Sequence, residues 1–245
     1  MDAARQALRQ ALKSLTPQPD QILEGVYFSQ IDEFFDVENV VIYNIEPAAF
    51  RNSSQNGLRA RRNRSQYSTD HSPFSHTLHY HFIPKPQLPP EILVHLRFTP
   101  TGFQSVFDIW WAASKGNLIK ASPIQGRFGL RVDLYAPVSP KNPASRIKIL
   151  FDGIIAAIQN NLVSPPLDTV KILSQKHCVD TQLIYTQMCK PIFPAISSLR
   201  SIPLIRPFGA GVQWHPADDL CEDCILTVNQ SNQLYCDAYL YSLPT

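Results

Sequence analysis

The stretch GRFGLRVDLYAPVSPKNPASRIKILFDGIIAAIQNNL, residues 126–162, decides the fold class. Phe128, Leu130, Val132 and Leu134 alternate with Arg127, Arg131, Asp133 and Tyr135, the period of two expected of a half-buried strand over 126–136. Pro137, Pro140 and Pro143 then break the chain, and Ser145 is a suitable N-cap. From 146 to 162 the period becomes helical: Ile147, Leu150, Phe151, Ile154, Ile155, Ile158 and Leu162 form one broad stripe, closed by Pro165 and Pro166. A strand, a stiff turn and an amphipathic helix in succession predict an α+β protein.

Toward the N-terminus, Ala4, Leu8, Leu12 and Leu15 recur at helical spacing against Arg5, Arg9 and Lys13, so residues 1–16 read as an amphipathic helix ending before Pro17. Residues 25–30 and 37–45 (VENVVIYNI in the second) read as strands joined by an acidic connection with Asp32, Glu33, Asp36 and Glu38. Residues 51–73 read as a basic loop or an irregular hairpin. Residues 74–84 and 92–99 read as an antiparallel pair of strands, because KPQLPP between them lacks the donors a sheet needs. Residues 103–113 fit helix and strand alike. Toward the C-terminus, a short helix is expected at 168–174 and strands near 211–214, 224–228 and 234–241. No linker separates two hydrophobic halves. The expected architecture is therefore one domain over 1–245, with a mixed or antiparallel sheet packed against a few helices and an amphipathic N-terminal helix.

With 245 residues, of which 44% are hydrophobic, the chain can build a sizeable core. No apolar run approaches the roughly 20 residues of a membrane helix, so no membrane association is expected. The opening residues lack the apolar region of a secretory signal, and five cysteines are an odd number in a chain too large to need disulfides, which together predict a cytoplasmic protein. A formal charge of +2 does not advertise a polyanionic partner, so any such case rests on where the charges lie.

Residues 127–168 resemble the core of RusA-type Holliday junction resolvases. The family has a strand, a proline-containing turn with Asp-x-Asp-Asn, a lysine four residues beyond the second aspartate, and a helix with Phe-Asp-Ala-Leu. Aligned through Phe151 and Asp152, the resemblance puts Lys148 on the family's active-site lysine. The two motif carboxylates fall on Asn142 and Ala144. The family's later aspartate, part of an acidic pair, falls near Val163, where Asp168 is the nearest acid. Magnesium-dependent cleavage of phosphodiesters needs hard oxygen ligands, and Ala144 offers none. The resemblance thus implies a RusA-like scaffold with its catalytic carboxylates missing.

Arg51, Arg59, Arg61, Arg62 and Arg64 occur with no acid before Asp70, and Tyr67, His71, His76, His79 and His81 follow. Guanidinium forks suit phosphate oxygens and rings suit bases. His76, His79 and His81 also spell H-x-x-H-x-H, but a strand puts only His79 and His81 on one face. Cys221-Glu-Asp-Cys224 has the spacing of a zinc half-site, with His215 nearby, yet the surrounding Asp218, Asp219, Glu222 and Asp223 disfavour a reactive thiolate. A structural zinc on Cys221, Cys224 and His215 is the weaker reading beside core cysteines. No phosphate loop, dinucleotide fingerprint or serine-hydrolase elbow occurs, and no cofactor is expected.

The leading expectation is a non-catalytic nucleic-acid-binding protein, with Arg59, Arg61, Arg62, Arg64 and Lys148 contacting the phosphates of DNA or RNA. The alternative is a structural or adaptor subunit without affinity for nucleic acid, docked to a protein partner or to a second copy through its N-terminal helix or its acidic and basic loops. A metal-dependent nuclease is the third reading, and requires Asp133, Asp152 and Asp168 to converge.

Overall fold

The computed structural model describes residues 2–29, 36–64, 76–190, 195–197 and 202–243. Asp32, Glu33, Tyr67, Asp70 and His71, which entered the sequence reading, lie outside the described residues, as does the side chain of His76.

The chain runs through α1 (Asp2–Ser14), β1 (Gln21–Ser29), β2 (Gly57–Asn63), β3 (His76–Pro84), β4 (Ile92–Phe98), α2 (Val106–Ala113), β5 (Asn117–Ala121), β6 (Phe128–Ala136) and α3 (Ile147–Ile158). It continues through β7 (Gln159–Asn160), α4 (Leu167–His177), α5 (Thr181–Cys189), β8 (Ile196–Ser197), β9 (Ile205–Phe208), β10 (Gly211–Trp214), β11 (Cys221–Gln230) and β12 (Tyr235–Ser242). Eight strands form one mixed sheet in the order β3-β1-β2-β11-β6-β12-β4-β5, and β9–β10 and β7–β8 make two small ladders. The α+β expectation therefore holds, with the N-terminal helix in place. Among the described residues, no helix is long and apolar enough to cross a membrane.

One face of the sheet carries the main core. Phe128, Leu130, Val132 and Leu134 of β6 join Leu58 and Ala60 of β2, Cys236 and Ala238 of β12, and the buried residues of α2 and α3. The helix α3 is apolar almost all round because it lies between the sheet and α2. Gly153 makes that packing work: a Cβ there would sit 2.6 Å from the Cβ of Ile109 on α2. The helix reading of 103–113 is settled by a capping box, in which Ser105 and Asp108 exchange hydrogen bonds with each other's backbone N–H. At the N-terminus, Leu12 is buried in the same core and Arg9 donates to the carbonyl of Ile45, so α1 docks on its own chain.

Three expectations are corrected. Residues 37–45 are not a strand: Asn39–Tyr43 form a single turn of wide helix laid against β1, where Gly25 leaves room for Val41. The run of Val and Ile satisfies burial without extended backbone. Residues 57–63, read as loop or irregular hairpin, form the internal strand β2, parallel to β1 and antiparallel to β11. Residues 76–84 and 92–98 do not pair with each other: β3 pairs with β1, and β4 lies between β12 and β5. The Pro-rich connection instead crosses the second face of the sheet, where the carbonyl of Pro86 accepts from Arg131.

Candidate functional site

The segment after β1, the first turns of α3 and the short turn Asp218–Leu220 before β11 meet at one end of the sheet. They bring four carboxylates onto a single ammonium. Lys148 Nζ lies 3.0 Å from Asp36 Oδ2, 3.2 Å from Glu38 Oε1, 3.3 Å from Asp152 Oδ1 and 3.3 Å from Asp218 Oδ2. The Lys148–Asp152 contact follows from i,i+4 spacing on α3, whereas the other three contacts come from remote segments. One oxygen each from Asp36, Glu38 and Asp218 lie within 4.8 Å of one another. The side chain of Glu38 is 1% exposed and that of Lys148 is 28% exposed, so the cluster is reached from the lysine side.

Four carboxylates against one lysine carry an excess of negative charge in a buried place, and the proton affinities follow. Burial pushes Asp152 up, with Glu38 and Asp36 adding to the rise and Lys148 opposing it. Burial also pushes Asp218 well up, reinforced by Asp152 and Asp36. Glu38 rises for the same first reason, against the pull of Lys148. Burial works against charge on Lys148, but Asp152, Glu38, Asp218 and Asp36 more than reverse it and hold it as an ammonium. Burial thus favours the protonated forms of Glu38, Asp152 and Asp218.

The donor set tests which cation fits. Every ligand atom is a hard oxygen, and no sulfur or imidazole joins them, which suits magnesium or manganese and not a structural zinc. Among the described residues this is the only grouping of three or more His, Cys, Asp or Glu ligands. Cys221 and Cys224 are buried with their sulfurs 3.4 Å apart, but they do not gather a three-ligand site with His215. Both thiols are buried in the core, and burial pushes both up.

The predicted phosphate contacts divide. Lys148 belongs to the carboxylate cluster. Arg59 and Arg61 project to the second face of the sheet: Arg59 donates to Asp223 at 2.8 Å and pairs with Glu24 at 3.1 Å, and Arg61 donates to Glu24 at 2.9 Å. Arg62 and Arg64 reach Glu222 instead, Arg62 at 3.6 Å and Arg64 Nε at 3.2 Å from both carboxylate oxygens. The third reading's acids also separate. Asp152 is in the cluster, Asp133 is held by Arg131 and Thr227, and Asp168 is an exposed partner of Lys171. Asn142 donates to the carbonyl of Pro47.

Asp36, Glu38 and Asp218 are the residues that the sequence reading missed as ligands. Their only signal was the acidic character of the two segments that carry them. For β2 a signal did exist, since Leu58 and Ala60 alternate with Arg59 and Arg61 at the period of a strand. Compared with family models, curated proteins and solved structures, the chain matches none.

Proposed function

We propose that this protein is a divalent-cation-dependent hydrolase of nucleic-acid phosphodiesters, working through Asp36, Glu38, Asp152, Asp218 and Lys148. The observation that carries this reading is the convergence of three carboxylates within 4.8 Å around a lysine ammonium at one end of the sheet. The non-catalytic expectation rested on the absence of carboxylates at 142 and 144. Carboxylates drawn from other segments remove that chemical objection.

Asp36, Glu38 and Asp218 would hold the ion, with Asp152 behind them on α3. A bound divalent ion supplies Lewis-acid polarisation of a phosphoryl oxygen and a more acidic water. The chain's own part is to keep those oxygens convergent and to present Lys148, charged at any working pH, against the phosphate. Asp152, with raised proton affinity, can accept and return a proton at its carboxylate oxygens. On α1, Leu12 is buried in the chain's own core.

The test is cleavage of labelled single-stranded, duplex and four-way-junction DNA, and of RNA, with Mg²⁺, Mn²⁺ or EDTA. The reading expects cleavage that EDTA abolishes and that Asp218→Asn lowers by at least about a hundredfold. Cleavage of none of these substrates, or full activity in Asp218→Asn, overturns it.

A further inference from the structure

The end of the sheet that carries the carboxylates also carries a cluster of guanidinium groups. Because β11 is antiparallel to β2 and parallel to β6, the last residues of β2 lie beside the first residues of both β11 and β6. Asp223 is opposite Arg61, and Cys221 is opposite Phe128. A register shift between Cys221 and Asp223 turns Glu222 out of the regular alternation of β11. Three guanidiniums reach its carboxylate: Arg62 at 3.6 Å, Arg64 at 3.2 Å and Arg127 at 3.0 Å. Glu222 is four residues after Asp218, so the two clusters share one short piece of chain.

Two cavities open at this place, of about 310 Å³ and about 490 Å³, and both are lined by Arg64, Glu222 and Leu243. Their sizes fall within the range of small-ligand sites, roughly 300–1,000 Å³. The side chain of Arg62 is 3% exposed and anchors the floor, whereas Arg64 and Arg127 are about one-third exposed and form walls that solvent reaches. Each guanidinium has five N–H donors, more than one shared carboxylate can engage. All three arginines make further contacts as well, and what marks the site is the common focus of their forks on one carboxylate. A phosphate, with oxygens in more than one plane, suits three convergent guanidiniums.

We infer that Arg62, Arg64 and Arg127 form a phosphate clamp, with the Glu222 carboxylate as its internal placeholder, that takes a backbone phosphate of a nucleic-acid strand. Its place beside the carboxylate cluster rests on the proposed function, in which the neighbouring phosphodiester is the one cleaved. Anion binding at the clamp does not depend on cleavage. Glu222 competes with the incoming phosphate and keeps the arginines ordered in its absence.

The experiment is fluorescence-anisotropy titration of a labelled oligothymidylate in EDTA over a range of salt, with wild type, Glu222→Gln, the double variant Arg64→Ala/Arg127→Ala, and Arg206→Ala as an exposed arginine elsewhere. The clamp expects the double variant to bind at least about tenfold more weakly at low salt and to flatten the slope of log K against log salt by about 1.4, which is two contacts at about 0.7 each for a single strand. It expects Glu222→Gln to bind more tightly, by several fold, and Arg206→Ala to match wild type. Arg64 and Arg127 are partly exposed, so the double variant carries the test even where Glu222→Gln folds poorly. Wild-type binding by the double variant, or no binding by wild type, overturns the clamp. Since EDTA removes cleavage from this assay, a failed clamp leaves the cleavage result standing, and failed cleavage leaves the clamp standing.

Discussion

Lys148 Nζ lies 3.3 Å from Asp218 Oδ2, although 70 residues of chain separate them. That contact joins α3 to the start of β11 and closes a ring of acids that Asp36, Glu38 and Asp152 complete. Its lysine is too few charges for its carboxylates, and the imbalance makes the behaviour of the folded chain depend on protons and cations together.

Stability should fall as pH rises. The folded-state pKa values of Glu38, Asp152 and Asp218 are raised above those of unfolded carboxyls, near 4, and Asp218 is pushed up to about 9. Between about pH 4 and pH 9 the folded chain therefore binds more protons than the unfolded chain, and the stability these groups contribute at acid pH is lost across that window. Mg²⁺ competes with those protons, so millimolar Mg²⁺ should raise the melting temperature more at about pH 8.5 than at about pH 6. Differential scanning fluorimetry reads both; a Mg²⁺ shift that shrinks with rising pH contradicts the cation site.

Replacing Lys148 with Met keeps the aliphatic stem and removes the charge. Three buried carboxylates and the partly exposed Asp36 would then face one another without a counter-charge, a loss of about 3–5 kcal/mol by the usual cost of breaking a buried pair. Part of that loss should return at about pH 5, where the acids carry protons. Urea denaturation at pH 5 and pH 8 checks this, and an equal loss at both would mean that packing and not charge explains the effect.

Gly153→Ala sets two effects against each other. Alanine favours a helix over glycine by about 1 kcal/mol, while its Cβ would press on Ile109 and the backbone of Trp110. Overpacking of a tight core costs about 1–3 kcal/mol. The clash should win by about 1 kcal/mol, lowering the urea midpoint; an increase would mean that α2 and α3 part easily.

Leu12→Ala should cost about 2–3 kcal/mol, as for a large-to-small change in a packed core. Its solution mass should stay the same, because α1 buries this side chain in its own chain. Light scattering and thermal melts together test this. A change of mass with unchanged melting would revive the helix as a docking element for a second copy or another protein.

The sequence by itself determined the local elements whose pattern repeats within a few residues. The period of two placed β6, the period of 3.6 placed α1 and α3, and the later strands near 211–214, 224–228 and 234–241 came from short apolar runs between turns. Where a run satisfies burial in more than one conformation, local pattern had no vote: VENVVIYNI became a helical turn because β1 and its glycine were there to receive it. The cluster of basic residues from Arg59 onward read as solvated loop because charge implies water, and only pairing across strands to Glu24 and Asp223 made a sheet interior tolerable. The carboxylate site was beyond local reading altogether. Asp152 and Lys148 are one helical turn apart, but Asp36, Glu38 and Asp218 owe their place to sheet topology, which brings distant chain ends to one edge. Charge at a distance in sequence becomes charge at 3 Å only through the tertiary fold, and that fold decided the site.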